Sequence, residues 1–308
     1  MVRGVYLTSS AAFVAGLAVG LQYYELHVLQ AVLLAFFLAY LPNFLAPYQF
    51  SPNGAYWPWF AKLPLWKKMS QMKTKLHFEE PLSKDKQYLI ASHPHGPTSY
   101  HHGVMISGTS EPPLYDVIPG EQRRHLGASV VFRIPIYREI LLWLGVVDAG
   151  RKTARGVLKS GKSLVILVGG IQEQMAAEYG QHHVVARPRK GFIKLAIQHG
   201  VSIVPAYAFG ENDLFKTSSY LLKLRQWISQ KIKVALIICH GPTWWNPLKP
   251  FPVEINHVYG KPIPTTKEEH PSHEEVDRVH QLYIDELTRI FEKYKAKYAT
   301  PDAKLHIL

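Results

Sequence analysis

Two long uncharged stretches open the chain and limit what it can fold into. Residues 4–24 and residues 28–61 contain no Asp, Glu, Lys or Arg, and only a short break around Glu25 separates them. A helix needs about 20 predominantly apolar residues to cross the core of a bilayer. The pattern predicts a membrane-embedded helical hairpin within residues 1–48, followed by a second domain over residues 49–308.

Basic residues lie on both sides of the expected hairpin. Arg3 precedes it, and the lysines that follow it are Lys62, Lys67, Lys68, Lys73 and Lys75. Because basic flanks remain in the cytosol, we expect both ends of the hairpin to face the cytosol. A cleavable signal peptide is disfavoured because the second apolar run follows the first at once. A buried core hairpin is the other alternative, and the pattern leaves open whether the two helices span the bilayer or re-enter.

The overall composition excludes several classes of protein. Lys plus Arg number 35 and Asp plus Glu 23, so the net charge is +12, which favours nucleic acid, anionic lipid or a phosphate-rich cofactor as partner. Apolar residues are 47% and aromatic residues 12%, too many for a disordered chain. Cys239 is the only cysteine, which excludes a disulfide framework and Cys-x-x-Cys sites.

From about residue 62 onward, short apolar runs alternate with amphipathic stretches. The expected strands are residues 88–91, 163–168, 201–204 and 233–238, and the expected helices begin at Glu139, Lys152, Gly191 and Ser272. The last of these starts with the capping sequence Ser272 to Glu275 and carries apolar residues at helical spacing. Strands that alternate with helices predict an α/β fold in which helices cover the sheet.

A histidine pair follows the first of these strands. The segment reads Ser92-His93-Pro94-His95-Gly96, and the carboxyl ends of strands are where α/β sheets place their chemistry. Histidine accepts a proton near neutral pH, so His95 is the candidate general base, and His93 shapes the turn or shares the role. Metal binding, for which His101 and His102 lie close by, and a purely structural turn are the alternatives, although the sequence has no third type of ligand at a usable spacing and no His-Glu-x-x-His pattern.

Two further segments have the composition of binding loops. Gly169 and Gly170 follow a strand and offer backbone N–H groups to an oxyanion or a phosphate, and Glu173 could orient the histidine. An ordinary strand-to-helix turn is the alternative. A basic group, Arg187, Arg189 and Lys190, stands directly before a helix. Three cations beside the N-terminus of a helix predict an anion-binding site. A solvated run of charges is the alternative.

With these segments in view, the chain resembles the type-2 diacylglycerol acyltransferase family, the relatives of monoacylglycerol and wax-ester acyltransferases. The likeness covers residues 28–308 and is closest to plant, algal or fungal members. It is carried by His93-Pro-His-Gly96, by the long block from Arg187-x-Arg-Lys-Gly-Phe192 to Gly210-Glu-Asn212, by Gly260-Lys-Pro-Ile263 and by Phe291 to Lys297. The family's Tyr-Phe-Pro appears here as Tyr56-Trp-Pro58.

A more distant likeness to glycerolipid acyltransferases implies a mixed sheet flanked by helices. The first conserved block of those enzymes is His-x4-Asp. Its Asp would stand at position 98 if the block began at His93 and at position 100 if it began at His95, but these residues are Thr98 and Tyr100. The acidic partner of the histidine must therefore stand elsewhere, and Glu173 is the candidate.

The family resemblance implies acyl transfer from acyl-CoA to the free hydroxyl of diacylglycerol, which forms triacylglycerol. It assigns the proton transfer to His95 with His93 and Glu173, the oxyanion to N–H groups of Gly96, Gly169 or Gly170, and the CoA phosphates to Arg151, Arg187, Arg189 and Lys190. No metal and no cofactor are expected, since acyl-CoA is a substrate. The expected partners are acyl-CoA, diacylglycerol and membrane lipid. Nucleic acid is not expected as a partner. The resemblance is also compatible with a homo-oligomer.

The resemblance also implies a place in the cell and leaves alternatives open. The expected location is the endoplasmic reticulum membrane with a cytosol-facing catalytic domain, and the lipid droplet surface is compatible with it. A monoacylglycerol or a long-chain alcohol is the alternative acceptor. The alternative from another class is a non-catalytic protein that coats lipid by its basic charge, for which the histidines would be dispensable.

Overall fold

The apolar stretch that begins at Val28 forms a helix whose sides are all apolar. The computed structural model describes residues 16, 28–70 and 73–308, and its contacts divide the chain into residues 1–47 and residues 48–308. Helix α1 spans Val28–Leu45 and has no distinct polar face. Large apolar side chains on its surface are exposed, among them Phe36 at 65%. A helix of this kind needs an apolar partner.

One segment of the described residues is long and apolar enough to cross a membrane. It is Gln30–Phe50, with a mean hydropathy of 1.6. This finding is consistent with a membrane location. The first helix of the expected hairpin, in residues 4–24, lies outside the described residues apart from Gly16, so the hairpin and its boundary at residue 48 stay predictions.

The second unit consists of short helices around three sheets. Its helices are α2 (Pro58–Ala61), α3 (Pro64–Met69), α4 (Tyr100–Ser107), α5 (Leu114–Val117), α6 (Tyr137–Trp143), α7 (Arg151–Lys159), α8 (Gly170–Met175), α9 (Gly191–His199), α10 (Leu222–Ile232) and α11 (His273–Tyr298). Its strands are β1 (Thr74–Phe78), β2 (Tyr88–His93), β3 (Arg123–Gly127), β4 (Val146–Asp148), β5 (Ser163–Leu167), β6 (His182–Val184), β7 (Ser202–Phe209), β8 (Lys216–Thr217), β9 (Cys239–His240), β10 (Ile255–Tyr259) and β11 (Leu305–Ile307).

The main sheet is mixed and has seven strands in the order β1-β10-β7-β2-β5-β3-β4. From β7 to β4 every pairing is parallel, whereas β10 pairs antiparallel with β7 and parallel with β1. In the middle strand Leu89 lies opposite Ile203 on one side and Leu164 on the other. The predicted α/β fold with a mixed sheet is confirmed.

Helices cover both faces of this sheet, so every residue of β2 is buried, as is every residue of β5 except the last, which is partly buried. On one face α9 and α11 pack on the sheet, and Val279, Tyr283 and Leu287 of α11 are fully buried. The predicted cap of α11 is present, because the hydroxyl of Ser272 accepts a hydrogen bond from the N–H of Glu275. On the other face, Met105 of α4 packs against the sheet.

One predicted strand is wrong. Residues 233–238 follow α10 as irregular chain, after Lys233 has adopted a positive φ of 58°. Within this run Leu236 bonds to the preceding helix: its N–H donates to the hydroxyl of Ser229, and its carbonyl accepts from Arg225. Only the end of the run reaches a strand, because the carbonyl of Ile238 accepts from the N–H of Ser218 beside the short pairing of β8 with β9. A β-forming sequence forms a strand only where a neighbouring strand is present to pair with it.

Candidate active site

A cavity of about 690 Å³ opens where the parallel strands end. His95 follows β2, Ala128 follows β3 and Val168 follows β5, and all three line the cavity. This edge is where parallel sheets bind ligands. The wall has an apolar part and a basic part. Its apolar side chains include Ile106, Leu126, Val131 and Leu141, and its basic side chains are Arg151 and Arg189.

His95 presents an unprotonated nitrogen to this cavity. Its Nδ1 lies 3.3 Å from the carbonyl oxygen of Gly96 and 2.8 Å from the hydroxyl of Ser99. A carbonyl oxygen only accepts hydrogen bonds, so the contact with Gly96 favours the tautomer in which Nδ1 carries the proton of the neutral ring and Nε2 carries the lone pair. Nε2 has no partner among the described residues and is not one of the sealed polar atoms. Burial lowers the pKa of His95 below 6.5, against the opposing charge of Glu173, which favours the basic form.

His93 has the complementary arrangement and does not line the cavity. Its Nδ1 donates to Oε2 of Glu173 over 2.7 Å, and both side chains are almost fully buried. Its Nε2 is sealed from solvent and has no partner among the described residues. Of the two histidines, His95 is therefore the one that a substrate in the cavity reaches.

Glu173 connects the histidine segment to helix α8 and to the residue that follows β6. Besides His93, its carboxylate accepts the backbone N–H of His95 and the backbone N–H of Val185, each over 2.5 Å. The carboxylate is thus a shared acceptor for two turns that border the site. The sequence analysis predicted that Glu173 orients a histidine; the imidazole that it holds is that of His93, and it holds His95 through the main chain.

A second buried carboxylate supports the helix that follows. Glu211 accepts the N–H groups of Tyr100 and His101 over 2.8 Å and 2.9 Å, at the first turn of α4. A negative charge at this end of a helix is favourable. Gly96 has a positive φ of 62°, and a Cβ there would lie 2.4 Å from the Glu211 side chain. Glycine at position 96 therefore allows this carboxylate to approach.

The glycines expected to donate to an oxyanion have different surroundings. A Cβ on Gly169 would lie 2.3 Å from the side chain of Glu173, so this glycine makes room for the carboxylate. Gly170, with a φ of 55°, lines the cavity, whereas Gly96 and Gly169 are not among its lining residues. Gly170 is thus the expected donor whose position touches the cavity.

Of the four cations expected to bind the CoA phosphates, two line the cavity and two do not. Arg151 and Arg189 line the cavity, and Arg189 also donates to the carbonyl of Gly169 over 3.0 Å. Arg187 donates to the carbonyl of Ile307 in the C-terminal strand. Lys190 pairs with Asp277 of α11 at 2.7 Å. The structure therefore brings Arg151 and Arg189 together at the site and places Arg187 and Lys190 beside it.

Ser99 and Glu211 were missed by the sequence analysis. Ser99 stands four residues after His95, and it has a positive φ of 56°, which is rare for a residue with a side chain. Only the turn of the chain brings its hydroxyl to the ring. Glu211 lies in the long family block but more than a hundred residues from its partners, so no local pattern indicates it.

Within the part of the chain that the structure describes, no group of three or more His, Cys, Asp or Glu side chains is arranged to hold a metal ion, as the metal alternative would require. His101 lies 3.0 Å from Glu211 and 3.2 Å from the hydroxyl of Ser92. His102 bonds instead to His125. The two adjacent histidines thus belong to separate hydrogen-bond networks.

Comparison with known proteins identifies the family. The sequence profile described as diacylglycerol acyltransferase matches residues 26–308, which includes the whole cavity and both histidines. The chain belongs to the diacylglycerol acyltransferase family. The resemblance drawn from the motifs is confirmed, and family membership makes the chain an O-acyltransferase.

The relatives in this family carry two kinds of name. Diacylglycerol O-acyltransferase 1 of Saccharomyces cerevisiae is 35% identical over 72% of this chain and 55% of its own length. Diacylglycerol O-acyltransferase 2 of Homo sapiens is 32% identical over 71% of this chain and 60% of its own length. For 2-acylglycerol O-acyltransferase 1 of Bos taurus the identity is 32%, over 72% of this chain and 69% of that protein.

Among solved structures, the 1-acyl-sn-glycerophosphate acyltransferase PlsC of Thermotoga maritima resembles the chain with a TM-score of 0.46. The alignment covers 74% of each chain at 15% identity.

Proposed function

We propose that the chain transfers a fatty acyl group from acyl-CoA to the free hydroxyl of diacylglycerol and forms triacylglycerol. The observation that carries the proposal is the position of His95: its ring lines a cavity that has an apolar and a basic wall, and the contacts of Nδ1 with Gly96 and Ser99 leave Nε2 to accept a proton. A fatty acyl chain suits the apolar wall, and the phosphates of CoA suit the guanidinium groups of Arg151 and Arg189. The names of the relatives support the two substrates.

The reaction needs one proton acceptor. The hydroxyl oxygen of diacylglycerol attacks the thioester carbon, and Nε2 of His95 takes the hydroxyl proton as the new C–O bond forms. The tetrahedral intermediate then collapses, the C–S bond breaks, and the imidazolium returns the proton to the sulfur of CoA. Nδ1 keeps its own proton throughout, held by Gly96 and Ser99. The transfer is direct, without an acyl-enzyme.

The remaining predicted residues support this step. Glu173 holds the main chain of His95 and the ring of His93 in place. Gly170 lines the cavity in which the oxyanion forms, whereas Gly96 and Gly169 make room for the carboxylates of Glu211 and Glu173. Arg187 and Lys190 add positive charge next to Arg189 in the chain. Acyl-CoA is a substrate, and the reaction as written uses neither a metal nor a cofactor.

The membrane brings the acceptor to the site. Diacylglycerol dissolves in the bilayer, and the apolar segment Gln30–Phe50 suits a position there. We place the chain in the endoplasmic reticulum membrane with its catalytic domain toward the cytosol, where acyl-CoA is available, and on the surface of lipid droplets. This placement rests on the family and on the basic residues that flank the apolar stretches.

The alternative acceptor is a monoacylglycerol, which the names of the 2-acylglycerol O-acyltransferase relatives support. The deciding experiment is an acyl-transfer assay with the purified full chain in liposomes, labelled oleoyl-CoA and a panel of acceptors: a diacylglycerol, a 2-monoacylglycerol and a long-chain alcohol. Labelled triacylglycerol should be the main product. Faster transfer to the monoacylglycerol or to the alcohol would replace the proposed acceptor, and transfer to none of them would overturn the proposal.

A further inference from the structure

A row of three buried side chains runs from the interior of the domain to the cavity. Nε of Arg123 donates to Nε2 of His125 over 3.1 Å, and Nδ1 of His125 lies 3.0 Å from Nε2 of His102. Arg123 is 4% exposed, His125 1% and His102 6%. Arg123 and His125 stand on β3, whereas His102 is in the first turn of α4 and lines the cavity together with His95.

The arginine determines where each histidine carries its proton. A guanidinium group only donates hydrogen bonds, so Nε2 of His125 accepts and has no proton. The one proton of the neutral His125 ring is therefore on Nδ1, from which it donates to Nε2 of His102. Because Nε2 of His102 accepts, the proton of the His102 ring must be on Nδ1. The direction of the whole row thus follows from the chemistry of Arg123.

The N–H group at the end of the row is available to a ligand. Nδ1 of His102 has no partner among the described residues, and it is not one of the polar atoms sealed from solvent. Since the residue lines the cavity, this N–H reaches it. Burial lowers the pKa of His102 to about 3, helped by the nearby His101 and His95. The ring is therefore neutral near neutral pH, where its Nδ1–H can donate.

We propose that His102 is a second catalytic residue, whose Nδ1–H donates a hydrogen bond to the carbonyl oxygen of the acyl-CoA thioester as that oxygen becomes negative. His125 and Arg123 are positioning residues that keep the donor tautomer. The proposal rests on the proposed acyl transfer and adds to it the group that stabilises the oxyanion. His95 and His102 would divide the work, one as acceptor of a proton and the other as donor of a hydrogen bond.

Two conservative substitutions separate this role from a packing role. In His102→Asn the side-chain amide lies near the position of Nδ1 and can still donate to the cavity, although the bond to His125 is lost. In His102→Gln the amide lies near the position of Nε2, where its oxygen can accept from His125 but no donor reaches the cavity. The loss of one oxyanion donor lowers kcat by about 100- to 1,000-fold in other enzymes.

The test measures kcat and KM for oleoyl-CoA with both variants, the wild type and His95→Ala in liposomes. We expect His102→Gln to lose about 100-fold or more in kcat with little change in KM, and His102→Asn to retain at least about tenfold more activity than His102→Gln. If His102 only packs, the order is reversed, because Gln keeps the buried bond and Asn breaks it. That reversed order, or a normal kcat in His102→Gln, would overturn the proposal.

The same measurements distinguish a failure of the proposed function from a failure of the role proposed for His102. If the wild type transfers no acyl group to any acceptor, the proposed function is wrong, and the catalytic role of His102 is wrong with it. If the wild type is active, His95→Ala is inactive and His102→Gln is normal, then only the role of His102 is wrong. The tautomer has its own readout in ¹⁵N spectra of histidine-labelled protein, with His102→Gln to assign the signal. We expect the proton on Nδ1; a proton on Nε2 would contradict the row.

Discussion

His93 donates from Nδ1 to Oε2 of Glu173 over 2.7 Å, and neither side chain has more than 1% of its surface exposed. The same carboxylate accepts the main-chain N–H groups of His95 and Val185. The pair therefore connects the end of β2 to helix α8 and to the residue after β6, and it fixes the position of the histidine segment. A change on this carboxylate should affect both the fold and the rate.

The substitution Glu173→Gln tests this connection. The amide replaces one accepting oxygen by an NH₂ group, which then faces a donor that has no other acceptor. A buried group left unpaired costs about 1–3 kcal/mol, so we expect a lower melting temperature and a kcat that falls more than the affinity for acyl-CoA. Glu178→Gln is the matched control, because Glu178 is an exposed glutamate that follows shortly after Glu173 in the chain. A Glu173→Gln variant that is as stable and as active as this control would refute the connection.

The pH dependence of the reaction follows from the surroundings of His95. The ring must be neutral to accept a proton, so activity falls as the pH decreases through the pKa of His95 in the folded enzyme. Because burial lowers that pKa below 6.5, the acidic limb of kcat/KM should have its midpoint below pH 6.5. A midpoint above pH 6.5 would mean that the charges of Glu173 and Glu211 outweigh burial.

The cations of the cavity should bind the CoA moiety. We expect Arg151→Ala and Arg189→Ala each to raise KM for acyl-CoA about tenfold, the usual effect of losing one charge-assisted hydrogen bond. Lys152→Ala is the matched control, since Lys152 is the exposed neighbour of Arg151 in α7 and does not line the cavity. An equal rise in KM for the control would show that general positive charge, and not these two side chains, attracts the substrate.

Membrane attachment should depend on apolar burial and hardly on charge. Salt screens exposed charges over about 8–10 Å and does not weaken apolar burial. High salt should therefore leave the full chain in the membrane pellet while it raises KM for acyl-CoA. Removal of residues 1–48 should weaken retention of the protein in the pellet. If salt alone releases the full chain, the apolar stretches are not embedded, and the lipid-coating alternative gains support.

The centre of the main sheet could be predicted because strands β2 and β5 are short apolar runs that end at His or Gly. Strands β2 and β5 and helix α9 stand where the sequence placed them, whereas β7 begins as expected but continues through Pro205 to Phe209. Strand β10 gave no such signal, because Asn256 and His257 interrupt its apolar residues, although both are buried. Residues 233–238 have the composition of a strand, but only their last residue, Ile238, has a neighbour to bond with, at Ser218. Pairing depends on the tertiary structure, which a local pattern does not contain.

The site could be predicted as a set of motifs but not as a set of contacts. His93, His95 and Glu173 were identified from their places after strands, and the structure brings them together. Which histidine Glu173 holds depends on the turn through Pro94, and the role of Ser99 depends on a backbone conformation that the sequence does not reveal. The row from Arg123 to His102 joins β3 to α4, so only the assembled sheet places it beside the cavity.

The measurement that tests the account most directly is the turnover of His95→Ala with oleoyl-CoA and diacylglycerol in liposomes, beside the wild type and His93→Ala. We expect His95→Ala to remain in membranes at normal abundance and to lose about two to four orders of magnitude in kcat, the usual contribution of a general base. His93→Ala should lose stability, because it leaves the buried carboxylate of Glu173 without its imidazole. A His95→Ala enzyme with near-normal turnover would remove His95 from the mechanism and contradict the account.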